Sequence, residues 1–288
     1  MATESQQHNM SSYEQARREF KWTVADDYNF AMDTIGRWAE ESDKLAMQWI
    51  GPDGREERYT FVHFDEQSSR AAHAFEKLGI RAGERVLVML PRVPEWWETM
   101  LGLMKLGAVS IPCTTLLTPK DIQYRAELAE AVAIVTDRAG AEKLAQVREQ
   151  CPSIRVSVVI DEPGAHCPDG CVGYHPAVDV ASPTWYDRRT RASDPCLIYF
   201  TSGTVGYPKM VLHTHASYPI GHTDVTGRYW LDLTPDDLHW NLSETGWANY
   251  LDSCFDALLP SPFQWCPLHT ARSDTPETPA SDVVCLLP

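Results

Sequence analysis

The sequence predicts an α/β fold with parallel sheets flanked by helices, and three observations predict it. Short apolar runs alternate with amphipathic stretches over residues 85–160, the rhythm of strand–helix–strand units. The runs lack polar alternation, as strands buried on both faces do. Prolines, glycines and Ser/Thr residues stand at the junctions, where helices start and stop. With 288 residues, 43% of them apolar, such a chain can bury about 75% of the surface its unfolded form exposes.

Taken in order, residues 30–41 read as a short helix with Phe30, Ile35 and Trp38 on its apolar side. Leu45–Ile50 reads as a strand, turned by Gly51-Pro52-Asp53-Gly54 into Arg58–Tyr59. Thr60 caps a helix whose Phe61, Phe64, Ala71, Ala72, Phe75 and Leu78 fall near helical spacing, and Gly79 stops it. Arg85–Leu90 is a strand. Pro94 then opens a helix carrying Trp96, Trp97, Met100, Leu101 and Met104. Those rings and thioethers are most simply core, because amphipathic burial needs no ligand. Val109–Ile111 is a strand, and Thr118-Pro119 opens a helix through about Leu128 with Asp121 in its first turn. Val132–Thr136 is a strand, 139–150 a helix and Val156–Ile160 a strand. Residues 161–195 lack periodicity and read as a surface connection. Cys196–Phe200 resumes as a strand, Thr214–Tyr229 as a helix interrupted at Pro219 and Gly221, and Leu238–Leu242 as a strand.

A formal net charge of −15 argues against nucleic-acid binding, which rests on phosphate neutralisation by Lys and Arg. A nucleotide site needs only a local set of donors. Met1–Met10 is polar, and no apolar run approaches the ~18–20 residues of a membrane span. Glu4 and Glu14 argue against a transit peptide, so a cytoplasmic location is expected. The eight cysteines are scattered. Only Cys167 and Cys171 are close, and no second ligand pair at zinc-like spacing accompanies them. No metal site is expected among them.

The candidate site is Thr201-Ser202-Gly203-Thr204-Val205-Gly206-Tyr207-Pro208-Lys209, directly after the apolar run 196–200. Glycines let backbone N–H groups approach an anion closely. Thr201, Ser202 and Thr204 add hydroxyl donors, Lys209 adds a point charge, and Pro208 stiffens the exit. The spacing fits neither the Walker A loop nor the dinucleotide fingerprint. Taken alone, such a loop is also an ordinary turn.

The nine residues resemble the phosphate-loop signature of the AMP-forming acyl-CoA synthetases, a superfamily that also holds luciferases and peptide-synthetase adenylation domains. That signature reads Ser/Thr-Ser-Gly-Ser/Thr-Thr-Gly-x-Pro-Lys. Val205 is the single departure, and it leaves only a backbone N–H for phosphate. Tyr59–Phe75 resembles the early helix of the family's substrate domain, and Leu106–Pro112 its helix-to-strand step. Residues 241–248 resemble the glycine–tryptophan segment of the medium-chain acyl-CoA and acetyl-CoA synthetase branches. The resemblance implies a partial N-terminal domain of the acyl-adenylate-forming fold, lacking the C-terminal lid domain. It implies ATP, Mg²⁺ and coenzyme A as substrates or cofactors, and a fatty or other apolar carboxylic acid as the partner. Thr201, Ser202, Gly203, Thr204, Val205, Gly206 and Lys209 would hold the phosphates, and Trp247 would border the acyl pocket; core packing is the other reading of Trp247. His213 and His215 lie beside the loop without an orienting carboxylate, so both are read as structural or solvent-facing.

The resemblance covers roughly residues 13–248, after a flexible stretch over 1–12. Residues 249–288 hold six prolines and three of the eight cysteines. They are expected to be a disordered tail, most economically the product of a frameshift near codon 248. The family's adenine-binding segment, its Mg²⁺-holding stretch, its ribose-gripping aspartate and its lid lysine have no counterpart in this sequence. A non-catalytic remnant, which binds nucleotide or associates with another chain, is therefore the alternative to an active ligase.

Overall fold

In a computed structural model, the described residues are 12–21, 24–161, 164–186, 190–201, 206–222, 226, 229–231, 239, 243–248 and 283–286. After the short helix α1 (Tyr13–Glu19), Asn29 caps a π-helical turn at Phe30–Ile35 that continues into α2 (Gly36–Trp38). Strands β1 (Leu45–Ile50) and β2 (Glu56–Thr60) form an antiparallel pair about the glycine–proline turn. Thr60 ends β2 and caps α3 (Phe61–Lys77), its hydroxyl accepting from the His63 N–H. Gly79, with φ of 93°, ends that helix in the left-handed conformation that glycine adopts without strain.

Next come β3 (Arg85–Met89), α4 (Pro94–Leu106) and β4 (Val109–Pro112), followed by α5 (Pro119–Ala129), β5 (Ala133–Asp137), α6 (Arg138–Ala145) and β6 (Val156–Ile160). Thr118 and Asp121 close a reciprocal capping box on α5. The helix expected over 139–150 stops at Ala145, and a separate 3₁₀ turn follows at Arg148–Gln150. Within the connection 161–195 lie β7 (Val172–Gly173) and α7 (Tyr174–Val178), and Tyr174 is fully buried. That burial overturns the reading of this stretch as surface. The chain then forms β8 (Pro195–Thr201), β9 (Lys209–Thr214) and α8 (Ser217–Gly221). The strand expected at Leu238–Leu242 lies outside the described residues except for His239. In the stretch expected to be a disordered tail, β10 (Val283–Leu286) pairs antiparallel with β1.

Two sheets result, ordered β10-β1-β2 and β7-β6-β5-β3-β4-β8-β9. The larger is parallel throughout except for the antiparallel β8–β9 pair. Successive side chains of a strand point to opposite faces. Val86 and Val88 of β3 therefore pack with α3 and α4, while Leu87 and Met89 pack with α5 and α6. Gly102 lets α3 and α4 approach closely, since a Cβ there would lie 2.8 Å from Ala71 Cβ and 3.0 Å from the Ser68 carbonyl oxygen.

Buried charge on this layer is matched. Lys105 donates to Asp65 Oδ1 at 2.7 Å and Ser69 Oγ at 2.9 Å. Glu98 accepts from the Tyr174 hydroxyl at 2.9 Å and lies 3.0 Å from His63 Nε2, which ties α3, α4 and α7 together. Among the described residues no helix is long and apolar enough to cross a membrane.

Candidate functional site

The loop singled out in the sequence spans the tip of the β8–β9 hairpin. Its ends face each other, because Thr201 and Lys209 are cross-strand partners and the Thr201 hydroxyl donates to the Lys209 carbonyl at 3.4 Å. Ser202, Gly203, Thr204 and Val205 lie outside the described residues. Gly206 has φ of 99°, a conformation that favours glycine. Lys209 is exposed at the start of β9, so its ammonium is open to an anion from solvent.

Helix α5 meets both legs of this hairpin. The Tyr124 hydroxyl donates to the Pro208 carbonyl at 2.9 Å, and its ring stacks on Tyr207 with centroids 5.0 Å apart. The Arg125 guanidinium lies over the Phe200 ring at 5.0 Å, a cation–π contact with the entering leg. Sequence reading placed both residues on a helix but gave them no role. The Tyr124 contact joins positions 84 residues apart, and no local spacing announces it.

The second segment singled out returns to the same edge of the sheet. Helix α4, which follows β3, covers one face, and α6, which follows β5, covers the other. The connections leaving these two adjacent strands thus diverge, which opens a crevice at their carboxyl ends. The Thr245 hydroxyl donates to the carbonyl of Leu90, just past β3, at 2.6 Å. Gly246 lies against the backbone just past β4, where a Cβ would fall 2.0 Å from the Thr114 nitrogen. The Tyr218 hydroxyl donates to the Ala248 carbonyl at 3.2 Å. Residues 243–248 therefore lie against the carboxyl ends of β3 and β4, beside β8, from whose carboxyl end the hairpin loop leaves. Trp247 itself is 66% exposed, which is not core packing.

The nearby titratable groups are not set up as bases or nucleophiles. His215 is fully buried, and burial pushes its pKa down to about 4 against the opposing pull of Asp194 and Asp33. That corrects the expectation of a solvent-facing ring and leaves the structural one. His213 is half-buried with its ring edge-on to Tyr218 at 4.8 Å. Burial pushes the Cys113 thiol, just past β4, up to about 12, so it stays protonated at neutral pH. Among the described residues no group of three or more His, Cys, Asp or Glu side chains is arranged to hold a metal ion.

A Ser/Thr/Gly-rich hairpin ending in lysine thus stands at the carboxyl edge of a parallel α/β sheet, the edge where open sheets of this class place their ligands. The particular family follows from comparison. The family model of the AMP-binding enzymes matches residues 36–261, and the chain belongs to that family. The human mitochondrial acyl-coenzyme A synthetase ACSM3 is 36% identical over 247 residues, covering 83% of this chain and 42% of the relative. Among solved structures, a Brucella canis acyl-CoA synthetase superposes with a TM-score of 0.78 at 28% identity, over 90% of this chain and 48% of that one. An anthranilate CoA ligase, AuaEII, solved with anthranoyl-AMP, gives 0.67 at 26% identity, over 74% and 40% of the two chains. The chain thus spans less than half the length of these relatives.

Proposed function

We propose that this chain supplies the phosphate-binding part of an ATP-dependent carboxylic acid activation, in which acyl-adenylate forms and coenzyme A then takes the acyl group. The observation that carries the reading is the hairpin at the carboxyl edge of the sheet, with Thr201 and Lys209 paired at its base. Backbone N–H groups and the hydroxyls of Thr201, Ser202 and Thr204 would meet the β- and γ-phosphates, and Val205 would contribute its N–H alone. Lys209 would neutralise charge as pyrophosphate leaves, the kind of preorganised electrostatics that favours a transition state. Mg²⁺ would arrive with the nucleotide, where it screens phosphate charge. The described residues include no carboxylate cage that would hold it independently. Trp247 would border the acid, which we take to be a fatty or other apolar acid. AuaEII, held with anthranoyl-AMP, is a protein of like fold carrying an acyl-adenylate.

Titration with MgATP tests the site. Lys209→Ala is expected to weaken binding roughly ten- to a hundredfold, the value of a charge-assisted hydrogen bond of about 1.5–3 kcal/mol. Equal affinities would remove Lys209 from the site. A second reading is binding without turnover. ATP–pyrophosphate exchange with a panel of acids separates the two: acid-dependent exchange supports activation, and binding without exchange supports the second reading. Location is a separate matter. The ACSM3 relative is named mitochondrial, against the cytoplasmic location proposed for this chain, and fractionation of cells expressing the chain decides between them.

A further inference from the structure

We infer that Tyr124 is a positioning residue for the phosphate hairpin, gripping its exit leg while its neighbour Arg125 grips the entry leg. The inference rests on the reading of Thr201–Lys209 as a phosphate loop for its consequence in binding, but its structural claim stands separately.

Helix α5 is anchored along its buried face and at its start. Ile122, Ala126 and Ala129 recur at helical spacing and are buried in the core beneath the sheet, so the helix is fixed relative to β3, β4 and β5. Its start is closed by the Thr118–Asp121 capping box. Gln123, Tyr124 and Arg125 are the half-buried residues between Ile122 and Ala126, and the last two reach the hairpin. Tyr124 meets two successive residues of the exit leg, stacking on Tyr207 and donating to the Pro208 carbonyl, and its ring also stands edge-on to Phe200 of the entry leg with centroids 6.3 Å apart. Arg125 covers Phe200, next to Thr201 on the other leg.

Both legs thus bear on consecutive residues of one anchored helix. The need for such a hold comes from the position of β9. Among the described residues it is the last strand of its sheet, and its first four residues are exposed. The ladder to β8 runs along the hairpin but does not fix the swing of its tip relative to the sheet. Pro208 has no N–H to give, and its carbonyl is the group that Tyr124 takes. Lys209 follows directly, so the Tyr124 hydroxyl sets where the ammonium-bearing residue begins. Preorganised donors lose less on binding than donors that must first be ordered, which is how a residue that never touches the ligand acts on affinity.

Hydrogen–deuterium exchange and MgATP titration on wild type, Tyr124→Phe and Tyr124→Ala test the proposal. Tyr124→Phe keeps the stacked ring and deletes only the bond to Pro208. Exchange in peptides covering 200–210 is expected to quicken several-fold, with peptides of α4 unchanged, and MgATP affinity to fall about three- to tenfold, the ratio of one neutral hydrogen bond. Tyr124→Ala is expected to widen both effects. Loop exchange and affinity equal to wild type in Tyr124→Phe overturn the proposal. So does quickened exchange spread evenly over α4 and the hairpin, the sign of a merely structural residue. If wild type binds no MgATP while the variants still loosen only the hairpin, the grip stands and the phosphate reading falls.

Discussion

Helix α4 and strand β9 are opposite solutions within one fold. Every residue of α4 except Glu95 is buried, between the sheet on one side and α3 on the other. Residues Lys209–Leu212 of β9 are all exposed, including Met210, Val211 and Leu212. Burial gives α4 many neighbours and leaves it no access to solvent. Exposure leaves the start of β9 open to solvent, and among the described residues β9 is the edge strand of its sheet. The site-bearing strand therefore takes its rigidity from elsewhere, from the ladder to β8 and from α5.

Trp96→Ala tests the buried side of this contrast and is expected to have the largest effect on stability. Its side chain is fully buried, and truncating such an aromatic costs about 3–5 kcal/mol. Urea unfolding should show the loss as an earlier midpoint with an unchanged slope. A shift worth under about 1 kcal/mol would break the picture of α4 as the packed centre.

His215 comes next, where β9 gives way to α8. Its folded pKa is lowered from 6.5 to about 4 by burial. The folded state therefore favours the neutral ring. That contribution is fully present above about pH 6.5 and lost as pH falls towards 4, up to about 3 kcal/mol. Melting temperatures at pH 7 and 4.5 should fall further apart in wild type than in His215→Leu. Equal differences would mean that burial of this ring is not what the acid limb reports.

Leu212→Thr is expected to do least. The side chain is 55% exposed and the replacement is a β-branched residue that suits a strand, so stability should stay within about 0.5 kcal/mol in the same urea titration. A loss near that of Trp96→Ala would show β9 to be packed, and would erase the contrast.

Local signals in the sequence located much of the scaffold. Thr60 and Thr118 are the caps that the spacing predicted, Pro94 opens α4, and Gly79 closes α3 with a positive φ. These succeed because capping, proline geometry and left-handed glycine act within a few residues. The failures involve distance along the chain. Tyr174 sits in a stretch without periodicity, yet it is buried because its hydroxyl meets Glu98 on α4, 76 residues away. For His215 the sequence left a structural and a solvent-facing reading open, and its burial in the fold decides for the structural one.

The candidate site divides the same way. The sequence by itself determined the chemistry on offer: hydroxyls, glycines and a lysine after an apolar strand, and a glycine–tryptophan segment further on. Those follow from residue type and spacing over nine and eight positions. The three-dimensional packing alone brings the second segment against the ends of β3 and β4, at the carboxyl edge from which the hairpin loop leaves β8, and requires glycine at 246 because the backbone past β4 lies against it. It also decided that Tyr124 and Arg125 hold the hairpin. Parallel strands are joined through helices, so neighbours in space are far apart in sequence. Contacts made across such crossovers leave no mark in local spacing.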